Sequence, residues 1–381
     1  LRDILTDYNR VRMTRMFSTG YAAIEPIKGL KLKETLSYDY TIQKDSRYYN
    51  PLSSAGPKSG SDAQTAKGFI EYGKLISSTS LNYVRTFARK HHLDVLAAYE
   101  IESYQTDHAS GEKSKLPSDK LTEPDNAAVL NSFKSATQAY RMISYLSRLN
   151  YDYDDRYYIA GSYRRDGSSR LSPNNRWGNF WSLGTSWRID REEFMASTSD
   201  WLSALTLKMS YGAQGNDNLG TYYASKGLYT IVSNLGENAL VSDRMATPNL
   251  KWETNLNFNV GIDFSLFNNR FSGSFDFFTR RSKDLLYSRP IAPSLGYGSI
   301  DENVGALKNT GIEMVLNGTI INQNGWVWKL GMNLTHYKNK VTDLPLKDMP
   351  RSGVNKLQVG RSVYDFYMIE WAGVDPENGD P

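Results

Sequence analysis

Within Lys251–Phe267 the chain alternates without a slip as far as Leu266. Trp252, Thr254, Leu256, Phe258, Val260, Ile262, Phe264 and Leu266 take the even positions, and Lys251, Glu253, Asn255, Asn257, Asn259, Gly261, Asp263 and Ser265 the odd ones. Successive side chains of a strand point to opposite faces, so the segment predicts a long strand with one apolar and one polar face. The same period recurs in Phe271–Phe277, Trp326–Leu334, Trp181–Ile189, Leu205–Tyr211 and Leu30–Ile42, and on both sides of the Asp152–Asp155 turn. The template predicts about a dozen strands, at 11–26, 30–44, 67–88, 92–106, 139–152, 156–168, 178–190, 203–215, 251–266, 271–286, 310–321 and 326–341. Most exceed the ~5–6 residues usual in globular sheets. A tilted strand crossing an apolar band about 25 Å tall needs about ten residues, which these lengths meet.

The connections alternate as well. Short links at 27–29, 89–91, 153–155, 267–270 and 322–325, with a longer one at 190–202, separate polar loops at 45–66, 107–138, 216–250 and 287–309 and a shorter one at 169–177. Short turns on one side and long loops on the other are the asymmetry of an outer-membrane barrel. The expected fold is therefore all-β, a transmembrane antiparallel β-barrel of which this chain supplies about 12 strands. A soluble sandwich or propeller alternates too, but with short strands and evenly short loops.

Composition narrows the picture. The chain has no cysteine, which excludes disulfides and thiolate chemistry. Its net charge of +4 speaks against nucleic-acid binding. Mean hydropathy is −0.54, and no run of about 18 apolar residues predicts a spanning helix. The opening Leu1–Phe17 has no apolar stretch of the signal-peptide kind. Aromatics make up 13% of residues and, near strand ends, read as interfacial girdles.

Catalytic chemistry is not expected. Of four histidines, His108 and His336 stand apart, and His91 and His92 are adjacent, so they point to opposite faces and are read as turn residues rather than a metal chelate. Asp375–Asp380 has the look of a calcium loop, but its glycine falls one place early and no closing Glu follows. No metal, cofactor or catalytic residue is assigned.

Several stretches resemble the SusC/RagA family of TonB-dependent outer-membrane transporters of Bacteroidetes. They are Tyr163-Arg-Arg-Asp-Gly-Ser-Ser-Arg170 with Asn179-Phe-Trp-Ser182 and Ser186-Trp-Arg-Ile189, then Leu207-Lys-Met-Ser-Tyr-Gly212 with Gly215-Asn216. Asn249-Leu-Lys-Trp-Glu253, Asp284-Leu-Leu286, Asn303-Val-Gly305, Asn309-Thr-Gly-Ile-Glu313 and Trp371-Ala-Gly-Val-Asp-Pro376 follow in order. Each is short; their order and spacing across 163–381 make the likeness specific. One departure is Phe180-Trp181, where the family pattern has Phe-Pro; it falls at a strand edge and puts nothing functional in doubt.

The resemblance implies a barrel of about 22 strands closed by a plug. Residues 1–344 are read as barrel strands and loops and 345–381 as an extracellular-side segment, with the plug and TonB box upstream and further strands downstream. It also implies import of oligosaccharides or oligopeptides, with TonB, a SusD-like surface lipoprotein and outer-membrane lipid as partners, and leaves open a dimer of transporter–lipoprotein pairs. A passive porin or adhesin barrel and a soluble carbohydrate-binding β-protein are the competing readings. Aromatic faces, amides and carboxylates suit such cargo, so Trp177, Asn216, Asp217, Tyr222, Tyr223 and Tyr297 are the candidate substrate or lipoprotein contacts among the long loops.

Overall fold

The computed structural model describes residues 7–51, 63–346, 348–350, 354–371, 373–374 and 377. The strands are β1 (Tyr8–Ile27), β2 (Leu30–Tyr49), β3 (Gln64–Phe87), β4 (His91–Ser114), β5 (Val129–Tyr153), β6 (Tyr157–Ser168), β7 (Trp177–Arg188), β8 (Leu202–Asn216), β9 (Leu228–Asn234), β10 (Glu237–Arg244), β11 (Glu253–Leu266), β12 (Phe271–Lys283), β13 (Leu286–Pro290), β14 (Ser299–Asn303), β15 (Ala306–Gln323), β16 (Trp326–Asp343), β17 (Asp348–Pro350) and β18 (Lys356–Gln358). Twelve of them form one sheet in the order β1-β2-β3-β4-β5-β6-β7-β8-β11-β12-β15-β16. Each corresponds to one of the strands predicted from alternation. Among the described residues no helix is long and apolar enough to cross a membrane.

The loops are where the structure departs from the sequence reading. β4 runs on to Ser114 and β5 starts at Val129, so much of the expected loop 107–138 is strand. The expected loops 216–250 and 287–309 carry the hairpins β9–β10 and β13–β14, and the segment after 344 carries β17–β18. Most of these added strands are short, too short for a period of two to stand out from chance. Residues 52–62 of the loop 45–66, and Asp375, Pro376 and Asn378–Asp380 of the calcium-like stretch, lie outside the described residues.

The chain divides into two units: residues 1–82, 97–145 and 167–169, and residues 83–96, 146–166 and 170–381. In the second, antiparallel registers line up Trp187, Leu207, Ile262, Phe275, Met314 and Leu334 across six strands. The adjacent row, facing the other way, is Ser186, Lys208, Gly261, Asp276, Glu313 and Thr335. The apolar row is not packed against a protein core: Ile262 is 42% exposed, Phe275 47% and Leu334 51%. Apolar side chains left in the open on one face of a long sheet need lipid, which rejects the soluble reading.

On the polar face, the Lys208 ammonium lies 2.7 Å from Asp263 and 3.1 Å from Asp276. Gly261 sits between these strands, and a Cβ there would be 2.1 Å from Asp276 Oδ1 and 2.8 Å from Lys208 Cε. The missing side chain is what lets the bridge cross three strands.

In the first unit, β2 pairs β1 throughout. β2 keeps its faces apart, but β1 does not. Met16 and Ile24 share the face of Tyr40 and Leu32, whereas Met13, Phe17 and Tyr21 lie opposite Gln43, Asp39 and Thr35. Apolar residues thus occupy both faces of β1, a pattern the alternation template had read as a plain two-faced strand.

The short-turn end of the second unit carries a row of rings. Phe87 stacks on His91 at 4.9 Å, His91 meets Tyr153 at 5.0 Å, Tyr153 meets Tyr157 at 6.4 Å, Tyr157 meets Trp187 at 6.4 Å and Trp187 meets Phe194 at 6.5 Å. Three polar edges are satisfied: His91 Nδ1 hydrogen-bonds Tyr151 at 2.8 Å, and Tyr157 and Trp187 both donate to Glu192, at 2.6 and 2.9 Å. Rings with an apolar body and a hydrogen-bonded edge collect at the membrane–water boundary. Beyond the row, the 3-10 turns Ile189–Arg191 and Glu193–Thr198 fill the longer link to β8.

That link also holds Asp190. Burial works against its charge, but the Arg188 guanidinium, at 2.7 and 3.0 Å, and the Leu205 backbone N–H, at 3.0 Å, outweigh it and hold the carboxyl below its usual range. A carboxyl shifted down on folding adds stability above the unfolded value of 3.8 and loses it as pH falls through the folded value. Asp190→Asn is expected to cost about 1.5–3 kcal/mol at neutral pH, with the gap from wild type closing as the pH falls below 3.8. Thermal unfolding in detergent at two pH values measures this; an equal gap at both would refute it.

Candidate functional site

The long-loop end of the second unit is built around Arg170. Its guanidinium is 3.2 Å from Asp217 and 5.2 Å from the centre of the Tyr222 ring. Both charged side chains are largely withdrawn from water, 12% and 14% exposed. A cation shared between a carboxylate and a ring face, with little solvent, is held far more firmly than a surface pair. Ser225 Oγ donates to the Arg170 carbonyl at 3.3 Å, and Thr247 Oγ1 donates to the Ala224 carbonyl at 2.9 Å. The segment 217–226 is therefore tied on one side to Arg170 and on the other to Thr247.

Asn216, at the end of β8, donates to Glu253 at 3.5 Å and accepts from the Asn218 backbone at 3.1 Å. Glu253 in turn accepts the Leu286 backbone N–H at 3.3 Å. Asn303 closes the same corner: its amide donates to the carbonyls of Lys251 and Asp284, at 2.8 and 2.9 Å, and its Oδ1 accepts the Lys251 N–H at 2.8 Å. The latch pins the β13–β14 hairpin to the entry of β11. Arg244 adds a 2.8 Å bridge to the buried Asp301.

Of the candidates, Asp217 and Tyr222 come together on Arg170, and Asn216 stands beside them in sequence on Glu253. Trp177 opens β7 and receives Arg165 over its ring at 5.1 Å. Tyr223 is faced by Lys226 at 5.6 Å. Tyr297 is half-buried in the segment between β13 and β14, after Gly296 at φ +80°. Sequence reasoning missed Arg165 and Arg170, the cations that organise these rings. The only hint was their place in the Tyr163–Arg170 motif, since the Arg170–Asp217 contact spans 47 residues of chain.

One expectation is corrected. Trp252 was assigned to the apolar face of its strand, but β11 begins at Glu253, and Trp252 turns inward instead. It is 8% exposed, meets Phe180 edge-on at 5.2 Å, and donates from Nε1 to the Arg176 carbonyl at 2.9 Å. Phe180, in β7, is the partner ring. It is also 8% exposed, and fills space above two glycines: a Cβ on Gly215 would lie 2.0 Å from its ring, and one on Gly178 2.4 Å.

Residues 2–375 match the family described as TonB dependent receptor-like, beta-barrel. The chain belongs to this family. Among its relatives, the TonB-dependent receptor SusC of Bacteroides thetaiotaomicron is 31% identical over 296 residues, 72% of this chain and 29% of SusC. TonB-dependent receptor P3 of Formosa agariphila is 29% identical over 372 residues, 93% of this chain and 36% of that protein. A solved structure of the RagAB peptide transporter superposes with a TM-score of 0.87 at 29% identity, covering 97% of this chain and 41% of that one. The chain thus spans well under half the length of these relatives. The SusC/RagA likeness read from the motifs holds, and membership of this TonB-dependent receptor family places the chain in the bacterial outer membrane.

Proposed function

We propose that the chain forms part of the wall of an importer that draws oligosaccharides or oligopeptides across the outer membrane, energised through TonB and working with a SusD-like surface lipoprotein. The observation that carries this reading is the family match over residues 2–375. Two features support it. The sheet pairs an apolar face with a polar face bearing Lys208, Asp263 and Asp276, as the wall of a wet lumen requires. The long-loop end offers guanidinium, carboxylate, amide and phenol groups already fixed in place around Arg170. The protein's task is binding and passage rather than covalent chemistry.

The test is uptake of labelled oligosaccharide and peptide pools by cells lacking the full-length gene, complemented with wild type or with alanine at Trp177, Asn216, Asp217, Tyr222, Tyr223 and Tyr297. Wild type should restore uptake of one pool, a protonophore should abolish it, and the alanine variant should lose most of it while still reaching the outer membrane. Restored uptake that ignores the protonophore would mean a passive pore. Undiminished uptake by the alanine variant would remove these loops from cargo contact.

A further inference from the structure

The short-turn end holds a second cluster with no part in cargo contact. One donor atom each from His92, Asp152 and Asp155 lies within 4.8 Å of the others. His92 belongs to β4, Asp152 to β5 and Asp155 to the turn that follows, so distinct hairpins supply them. From these positions we propose that His92, Asp152 and Asp155 form a binding site for a divalent transition-metal ion such as Zn2+, which staples the β3–β4 hairpin to the β5–β6 turn.

Four observations support the assignment. First, His92 is pre-oriented: its Nδ1 hydrogen-bonds Thr86 Oγ1 at 2.8 Å, which fixes the ring and leaves Nε2 as the ligand. A metal-bound imidazole is held by its other nitrogen in this way. Second, His92 and its neighbour serve opposite faces. His91 stacks on Phe87 in the aromatic row, whereas His92 and Asp152 line a cavity of about 440 Å3 with Thr86, Tyr158 and Gly184. The two adjacent histidines point apart, and His92 finds its partners across the sheet.

Third, local charge is unbalanced. Lys90 and Arg156 both turn to Asp154, at 3.5 and 3.3 Å. Among the described residues only Arg191 forms an ion pair with the cluster, 2.9 Å from Asp155 Oδ2; Arg188, which also acts on Asp155, is already taken by Asp190, and no cation pairs with Asp152. Two carboxylates with one counter-charge leave a deficit that a cation would fill. Fourth, the distances suit a small ion. Donors around tetrahedral Zn2+ at about 2.1 Å stand about 3.4 Å apart, so closing from 4.8 Å asks for little more than side-chain rotation. An imidazole with two carboxylates favours Zn2+ and its neighbours over Ca2+ or Mg2+.

The experiment uses the full-length protein in detergent, purified without a histidine tag and stripped with EDTA. Zn2+ titrated by calorimetry should bind at one site that is lost in His92→Gln and Asp152→Asn, each weakening affinity at least about tenfold, as loss of a ligand does. His91→Gln, on the opposite face, should bind as wild type. Zn2+ should also raise the thermal midpoint of wild type but not of His92→Gln. Heat-modifiable migration in gels verifies that each variant is folded. Absence of stoichiometric Zn2+ binding, or binding equally tight in His92→Gln and Asp152→Asn, overturns the proposal, the second outcome assigning the ion to another part of the protein.

Discussion

Trp252→Ala should lower stability by about 3–5 kcal/mol, the usual cost of emptying a buried aromatic site. The residue is 8% exposed, and its indole ties its own segment to the start of β7 twice, through the Phe180 ring at 5.2 Å and the Arg176 carbonyl at 2.9 Å. Removing it leaves a void beside Gly178, which has no side chain to fill it. Denaturant unfolding of the full-length protein in detergent measures the loss. Phe180→Ala and the double variant complete a cycle, whose coupling energy should be about 0.5–1.5 kcal/mol for the edge-on pair. A loss below about 1 kcal/mol, the size of an ordinary substitution, would show that Trp252 does not anchor this corner.

Ile262→Arg should cost up to about 2–4 kcal/mol, the penalty for a cation on the lipid face. Its neighbours in the row are Leu207 and Phe275, so the guanidinium would meet hydrocarbon on both sides. Asn259→Arg, on the same strand but facing the other way, should cost little, because that side is wet. Unfolding in liposomes separates the two. Equal penalties at both positions would mean that the faces are assigned wrongly.

The faces were legible because a period of two, kept over a whole crossing, has no other cheap explanation, and all of the sheet's strands were found from it. Strand ends were less legible. Alternation in the sequence runs back to Lys251, yet the backbone leaves the sheet before Glu253, so the same parity that placed Ile262 correctly placed Trp252 wrongly. Nothing local in the chain marks that exit; it is set by Phe180 and Arg176, more than 70 residues away in the case of the Arg176 contact. The site was half legible. Aromatic and amide residues could be picked out by type, but the cation that gathers Asp217 and Tyr222 could not, since nothing in one sequence connects Arg170 with a carboxylate 47 residues on. For His92, the alternation of a strand speaks only of neighbours along the chain, not of Asp152 and Asp155, which are reached across the sheet.

The row of rings from Phe87 to Phe194 has a consequence for how the wall can move. Neighbouring rings touch, and His91, Tyr157 and Trp187 end in hydrogen bonds, so slipping one strand by a residue would turn its ring to the opposite side and leave those polar edges unpaired in hydrocarbon. The same side chains thus fix both how deep the sheet sits and how its strands are aligned. In a thinner bilayer the lipid must deform around this edge, because the protein has no cheap way to re-register.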